Sequence, residues 1–188
     1  MERKTVEIYE YNHPSKLIKG DILFCNYTKN TKIIHCAMYI GNKLFIESIK
    51  YLGVRIAHAW GRPLFWDEFG YGYVKQVYQL GEELRNKIID RAIRFALLRL
   101  KRPYNLTQVA NYNPYDSTDP NSNKWYCSEL VWAAYINASI AVLNKMINIS
   151  NAPHIKGSKY EWVHVRSLIN SNEIQFFSPN NSPIPSQI

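Results

Sequence analysis

The sequence predicts an α+β fold in which a small antiparallel β-sheet, or an open barrel, packs against helices. The first 80 residues hold several short segments with strand-like alternation, separated by turn signals. Beyond residue 81 the apolar residues recur at helical spacing instead. A chain of 188 residues suits one domain with a proper core, and strands followed by helices are typical of the α+β class.

Four segments of the first 80 residues are predicted to hold the strands. "GDILFCNY" (Gly20–Tyr27) is predicted to be a strand entered from a turn. "KIIHCAMYIGNKLFIESI" predicts two strands around a tight turn at Gly41-Asn42. "GVRIAHA" and "GYGYVKQVYQL" predict two more, divided by "WGRPLFWDEFG", a stretch that can hold a short helical turn.

Two helices are predicted in the second half. The first lies in "GEELRNKIIDRAIRFALLRLKR" and ends before Pro103. Its apolar positions are Leu84, Ile88, Ile89, Ala92, Ile93, Ala96 and Leu100. A long polar loop at Tyr104–Lys124 follows, and loops of this length are often functional. The second helix is predicted from about Cys127 to about Lys145, and a short amphipathic piece, "EWVHVRSLI", and a strand, "EIQFF", come later.

The domain organisation is predicted to be simple. No internal repeat and no Gly-, Ser- or Pro-rich linker divides the chain. We therefore expect one domain over residues 1–178 and a disordered tail over residues 179–188.

Composition predicts a folded protein of the cytoplasm. Hydrophobic residues make up 46% of the chain and charged residues 20%, as in globular proteins. No segment has the roughly 20 apolar residues that span a membrane, and the first residues lack the apolar core of a secretory signal. Three cysteines cannot all pair with one another, so a reduced state is the simplest interpretation.

The net charge of +8 would suit an anionic partner. The basic residues, however, are dispersed, and many lie on the outer face of the first predicted helix. We therefore expect no nucleic-acid partner, whereas peripheral contact with a membrane stays open. The charge does not predict the oligomeric state.

Cys127 is the first candidate for chemistry. It lies at the predicted start of the second helix, where unpaired N–H groups and the helix dipole favour a thiolate. The same N–H groups can stabilise an oxyanion on a carbonyl attacked by the sulfur. The alternative is packing, because free cysteine is among the most buried residue types. Cys25 and Cys36, in apolar strands, have the pattern of packing residues.

A thiolate nucleophile needs a base, and His35 is the candidate because it lies in the middle of an apolar strand. Alternation places His35, Ala37 and Tyr39 on one face of that strand. The histidine therefore faces either a groove or a satisfied position in the core.

Glu47 on the next strand is the candidate to orient the imidazole, and the strand register decides whether it can. With a two-residue loop Glu47 would lie opposite Cys36, on the wrong face. With a three-residue connection it would lie opposite Ala37 and diagonal to His35. The alternative role is protection of a strand edge, and Glu129 is a rival carboxylate that the helix dipole explains.

Other sites are weakly supported by the sequence. Cys25, His35 and Cys36 lack metal-ligand spacing, and there is no dinucleotide, phosphate-loop or serine-hydrolase motif, so no metal and no cofactor is expected. Polar and aromatic residues around the loop and Cys127 are candidates for substrate binding, although such aromatics are as often core. The candidates are Tyr104, Trp125, Tyr126 and Ser128.

Taken together, "GDILF", "HCAMYIGNKLFIES" and the later "WYCSELVWAAY" resemble the NlpC-type papain-like superfamily of cysteine peptidases and amidases. The order of the pieces, histidine hairpin first and cysteine helix later, is similar to the circularly permuted branch typified by YiiX and YebB. "RPYN" (Arg102–Asn105) and "HVRSLINSNEIQFF" are also similar to segments of that family. The resemblance implies a papain-like fold with Cys127 as nucleophile, His35 as base and Glu47 as the group that orients the imidazole.

What the resemblance implies about function is a cysteine hydrolase, a peptidase or amidase that acts on a peptide or murein-peptide-like small substrate. Two alternatives stay open. One is a thioesterase, acyltransferase or phospholipase that uses the same three residues on a lipid-like substrate, and the other is an inactive binding module.

Overall fold

The computed structural model describes residues 17–26, 33–58, 69–106, 123–150 and 163–177. In chain order the described elements are β1 (Ile22–Asn26), β2 (Ile33–Gly41), β3 (Leu44–Ile49), β4 (Gly53–His58), β5 (Phe69–Val74), α1 (Lys75–Gln79), α2 (Glu82–Leu97), α3 (Cys127–Leu143), α4 (Val165–Ile169) and β6 (Ile174–Phe177). The six strands form one antiparallel sheet in the order β4-β3-β2-β1-β5-β6. The predicted α+β class is confirmed.

The two faces of the sheet differ in what covers them. Alternate side chains of the strands, among them Phe24, Cys36, Met38 and Ile46, pack into the main core with α2 and α3. The opposite face carries a smaller apolar cluster that includes Ala37, Tyr39 and Phe45. His35 and Glu47 belong to this second face by alternation, as the sequence predicted for His35.

The turn between β2 and β3 determines the register of the site. The sequence prediction of a tight turn at Gly41-Asn42 is wrong by one residue, because Asn42 and Lys43 form the turn with φ angles of 52° and 61°. Two successive residues with positive φ match the twist of a hairpin. Gly41 stays in β2 with a φ of 97°, a conformation that favours glycine.

A β-bulge then shifts the pairing by one residue. Tyr39 pairs with Phe45 but Gly41 pairs with Leu44, so the residue between Tyr39 and Gly41 has no partner on β3. Continuing from the Met38–Ile46 pair, Glu47 falls beside Ala37 and not beside Cys36. The register is therefore that of the longer connection, in which Glu47 shares a face with His35.

Two predicted elements end earlier than the sequence indicated. The strand predicted through "GYGYVKQVYQL" ends at Val74, and the next five residues form α1, which buries Val77 against the main core. The first long helix ends at Leu97, not just before Pro103. Lys101, with a φ of 66°, ends the turn that follows and donates its N–H to Val54 O, so the chain bends to meet β4.

The remaining predicted elements are confirmed within a few residues. α3 begins at Cys127 and ends before Asn144, whose left-handed conformation terminates the helix. The late amphipathic piece contains α4, and "EIQFF" contains β6, which pairs with β5.

α3 is anchored to the sheet at a glycine. Gly20 has a φ of 87°, and a Cβ there would lie 2.9 Å from the hydroxyl oxygen of Tyr135 on α3. That hydroxyl donates a hydrogen bond to Gly20 O, while the carboxylate of the next residue, Asp21, accepts one from Ile18 N–H at 2.9 Å. The predicted "GD" segment thus fixes the entry to β1 against the middle of α3.

Several predictions fall wholly or mostly outside the described residues: the helical turn predicted within "WGRPLFWDEFG" (residues 60–70), most of the polar loop at Tyr104–Lys124, and the tail at residues 179–188. Among the helices that the structure describes, none combines the length and apolar character needed to cross a membrane.

Candidate active site

Cys127 is the first residue of α3, and its side chain lies at the boundary of the core with 6% of its surface exposed. The N–H groups of the first helical turn have no partner within the helix, so the sulfur sits beside the positive end of the helix dipole. Tyr126 N–H, just before the helix, is directed to the carboxylate of Glu129 over 3.4 Å. Glu129 therefore lies at the start of the helix, as the dipole explanation predicted.

The first turn of α3 meets the sheet where β2 and β3 part. The ladder between these strands runs from the turn only as far as the Met38–Ile46 pair. Beyond that pair, the main-chain N–H of Cys36 donates a hydrogen bond to the sulfur of Cys127. Ser48 Oγ on β3 donates to the main-chain oxygen of Trp125, two residues before the sulfur. The opening between the strands thus receives the start of the helix.

His35 and Glu47 meet on the same side of this opening. His35 Nε2 lies 2.7 Å from Glu47 Oε2, and both side chains are buried, with 7% and 5% of their surface exposed. The other imidazole nitrogen, Nδ1, is then the one available for the hydrogen bond between His35 and the sulfur of Cys127. The structure therefore brings together the three residues that the family resemblance implied as one site.

Arg55 is a fourth member that the sequence reasoning missed. It pairs with Glu47 across β3 and β4, and its Nε and Nη2 lie 2.9 and 2.7 Å from Glu47 Oε1. The only signal in the sequence was a basic residue at an alternating position of "GVRIAHA", which a strand edge exposed to solvent explains equally well.

The thiol and the imidazole have opposite shifts in pKa. The pKa of Cys127 lies well below its usual range because the Cys36 thiol donates a hydrogen bond to the sulfur and His35 adds a positive charge and a second hydrogen bond, which together outweigh burial. Burial lowers the pKa of His35. The charges of Cys127 and Glu47, and the hydrogen bonds that both form with the imidazole, raise this pKa by more than burial lowers it, to about 9. These directions favour a thiolate–imidazolium pair near neutral pH.

Cys36 takes part in the site in a way that its apolar strand did not predict. Its thiol and its main-chain N–H both donate hydrogen bonds to the sulfur of Cys127. Burial raises the pKa of Cys36 well above its usual range, so this thiol keeps its proton and can act as a donor. The packing role predicted for Cys36 is thus incomplete.

The predicted substrate-binding side chains are mostly in the interior. Trp125 is fully buried edge-on to Phe95, with ring centroids 5.8 Å apart. Tyr126 accepts a hydrogen bond from Val163 N–H at 2.9 Å, and Ser128 donates one to Val163 O. These positions favour the packing alternative. Tyr104 is half-buried and keeps some exposed surface.

Metal binding is not favoured by the donor set. Over the ranges that the structure describes, no three His, Cys, Asp or Glu side chains converge in a way that could hold a metal ion. None of the three cysteines, all of which lie in the described ranges, forms a disulfide.

Comparison with known proteins identifies relatives of this fold. The family described as permuted papain-like amidase enzymes, YaeF/YiiX, C92 family, matches residues 16–176. The crystal structure of the metalloprotein YiiX from Escherichia coli O157:H7 is similar over 85% of this chain and 95% of that one, with a TM-score of 0.51 and 15% sequence identity. No curated protein sequence matches the chain. The structural likeness bears on the fold.

Proposed function

The chain belongs to the permuted papain-like amidase family of the YaeF/YiiX type, and from this premise we propose that it is a cysteine hydrolase with a Cys127–His35–Glu47 triad. The bond cleaved is an amide in a peptide or a murein-peptide-like small molecule. The observation that carries the proposal is the continuous contact from the Cys127 sulfur through the His35 imidazole to the Glu47 carboxylate.

The charge state of the pair supports a nucleophilic role. A thiol in a dry core without a partner has a raised pKa and does not react. Here the pKa of Cys127 is lowered despite burial, and that of His35 is raised to about 9. Around neutral pH the sulfur therefore carries the negative charge that attack requires, and His35 carries the proton that a leaving group will need.

The reaction follows from these charges. The Cys127 thiolate attacks the amide carbonyl, forming a C–S bond while the carbonyl oxygen takes up the electron pair and becomes an oxyanion. When that oxyanion collapses, the C–N bond breaks and His35 Nδ1 gives its proton to the departing amine. A water then attacks the thioester with His35 as base, which releases the carboxylic acid and restores the thiolate–imidazolium pair.

The start of α3 supplies the environment for the oxyanion. Cys127 is the first helical residue, so its N–H belongs to the group of helix-terminal donors that lack an intrahelical acceptor. A carbonyl carbon bonded to the sulfur would place its oxygen near these donors. Donors of this kind typically contribute about 3 kcal/mol each to transition-state stability.

A lipid-like substrate is the second candidate, and an exposed surface favours it. Tyr51, Leu52 and Leu98 expose 88%, 60% and 70% of their surface. Their two turns are joined because Val54 N–H donates to Arg102 O at 2.9 Å. Exposed Lys50, Lys101 and Arg102 flank them, and apolar side chains beside cations suit an anionic membrane surface. Co-sedimentation with anionic vesicles but not with zwitterionic ones would favour this candidate.

The proposed triad is tested by the pH dependence of iodoacetamide labelling, followed residue by residue with mass spectrometry. We expect Cys127 to label rapidly at pH 6 to 7, and His35→Ala to slow this labelling at least tenfold. Cys25 and Cys36 in the same sample are the internal controls, since both thiols are buried outside the helix start. Labelling of Cys127 no faster than that of Cys25, or indifference to His35→Ala, would refute the proposal.

A further inference from the structure

We propose that Arg55 is a positioning residue of the site, which holds one oxygen of Glu47 so that the other oxygen faces His35. This inference rests on the proposed function, because it assigns Arg55 to the triad of that site. Arg55 donates its hydrogen bonds to Glu47 Oε1. It would act on the reaction only through Glu47.

The geometry divides the two carboxylate oxygens between two partners. Arg55 Nε and Nη2 lie 2.9 and 2.7 Å from Oε1, whereas His35 Nε2 lies 2.7 Å from Oε2. Because both guanidinium donors converge on one oxygen, rotation of the carboxylate away from His35 would break three hydrogen bonds at once. By binding Oε1, Arg55 therefore fixes the orientation of the carboxylate group and keeps Oε2 directed at His35.

The pairing of β3 with β4 positions Arg55 beside Glu47. Glu47 and Arg55 are directly opposite residues of β3 and β4, so their side chains leave the same face side by side. The turn between these strands is short, because Ile49 pairs with Gly53 and only residues 50–52 lie between them. The distance between the two side chains is thus set by strand pairing, which is more rigid than a flexible contact.

Arg55 is more exposed to solvent than the two residues of the site that it supports. The side chains of His35 and Glu47 are 7% and 5% exposed, whereas that of Arg55 is 29% exposed. Arg55 therefore lies between the buried carboxylate and solvent. Because the guanidinium group is planar and preorganised, Arg55 loses less conformational freedom per hydrogen bond to this carboxylate than a lysine in its place would.

Two roles of Arg55 predict opposite shifts at His35. If Arg55 only balances charge, removing this cation leaves Glu47 more negative toward the imidazolium, and the pKa of His35 rises. If Arg55 positions Glu47, its loss loosens the bond between Oε2 and Nε2, which helps to hold the pKa of His35 at about 9, and the pKa falls. The sign of the shift separates the two roles.

The experiment is an NMR titration of the His35 ring nitrogens in the full chain, with the resonances assigned by their absence in His35→Ala. The variants are Arg55→Gln, Arg55→Lys and, as a matched control, Arg91→Gln on the exposed side of α2. Arg55→Gln is expected to lower the His35 pKa by about one unit and, because a less firmly held imidazolium stabilises the thiolate less, to move the midpoint of iodoacetamide labelling of Cys127 to higher pH. Arg55→Lys should recover part of both effects, and the control should show neither.

A double-variant cycle adds a readout that a merely structural role would not move. In a Glu47→Ala background the contact to be positioned is gone, so adding Arg55→Gln should change the His35 titration no further. A rise or no change in the His35 pKa of Arg55→Gln overturns the positioning role, and so does an additive cycle. If Arg55→Gln does not fold, Arg55→Lys carries the same test.

The failure of this inference can be told apart from that of the proposed function. If labelling of Cys127 ignores His35→Ala, the proposed function fails and the positioning role fails with it. If labelling responds to His35→Ala but both it and the His35 titration ignore Arg55→Gln, only the role of Arg55 is overturned.

Discussion

Cys36 on β2 and Cys127 at the start of α3 are buried thiols in direct contact, yet their acidities move in opposite directions. Cys36 is fully buried and Cys127 is 6% exposed. The pKa of Cys36 lies well above the usual range for a thiol, and that of Cys127 lies well below it. Burial acts in the same direction on both, because it disfavours the charged form.

The difference lies in the partners of each sulfur. Cys36 contacts Cys127, and the charges of Cys127, Cys25 and Glu47 each raise its pKa further. Cys127 receives hydrogen bonds from Cys36 and from His35 and also the positive charge of His35. Reactivity in this molecule is therefore determined by where a sulfur meets donors and a cation, and not by its depth.

The largest effect is expected when the anionic member of the pair is removed. In Cys127→Ala the charge and hydrogen bond that raise the pKa of His35 are lost, while the opposing effect of burial remains. The pKa of His35 should fall from about 9 by about two units, which corresponds to roughly 2.7 kcal/mol. An NMR titration of the imidazole in wild type and variant measures this fall.

Cys36→Ala is the control for that titration. Because Cys36 donates to the sulfur and keeps its proton, its removal takes no negative charge away from His35. The His35 pKa should therefore stay much closer to that of the wild type than in Cys127→Ala. Equal shifts of the His35 pKa in the two variants would mean that both thiols act equally on the imidazole. That result would contradict the difference in acidity between Cys36 and Cys127.

A smaller effect is expected on Cys127 itself when its donor is changed. Cys36→Ala removes the hydrogen bond that contributes most to the lowered pKa of Cys127, whereas Cys36→Ser keeps a donor at the same position. We expect the pKa of Cys127 to rise by about one unit in Cys36→Ala, equivalent to about 1.4 kcal/mol, and by less in Cys36→Ser. The midpoint of iodoacetamide labelling against pH reports this pKa.

A contrary result is easy to recognise in that experiment. If Cys36→Ala labels at Cys127 with an unchanged midpoint, the main-chain N–H of Cys36 and His35 suffice to stabilise the thiolate. If Cys36→Ser raises the midpoint as much as Cys36→Ala does, the size of the side chain matters and its donor does not.

Local pattern predicted much of this arrangement. Two features depend only on a few neighbouring residues. They are the helix start at Cys127 and the alternation that puts His35 and Cys36 on opposite faces of the sheet. The register of Glu47 was left between two alternatives, because one extra residue near Gly41 reverses the face and a bulge has no reliable sequence signature.

Contacts between distant segments were out of reach of the residues alone. The approach of Cys127 to His35 was implied by the family resemblance, because 91 residues separate them and no periodicity spans that gap. Arg55 was missed because its partner depends on how β3 pairs with β4. Cys36 was assigned to packing because its contact with the sulfur arises only where β2 and β3 separate.

The smallest expected effect is on the free energy of unfolding. Above pH 6.5 the Cys127–His35 pair should add almost no pH dependence to it. The raised pKa of His35 gives stability that is complete below 6.5 and is lost as pH rises through about 9. The lowered pKa of Cys127 gives stability that is complete above 9.0 and is lost as pH falls through its folded value. Between 6.5 and 9 the folded and the unfolded pair each hold one proton, so the two slopes cancel.

Below pH 6.5 the two slopes no longer cancel, because the unfolded chain binds a second proton. The folded pair does not bind a second proton until the pH falls to the folded pKa of Cys127. The difference in unfolding free energy between wild type and Cys127→Ala should thus be flat from pH 6.5 to 9 and decrease below 6.5, by at most about 1.4 kcal/mol per pH unit. Urea unfolding of both proteins at half-unit pH steps measures it, and the subtraction removes groups common to both. A difference that stays flat below pH 6.5 as well would mean that Cys127 is a neutral thiol in the folded protein, no more acidic than Cys36.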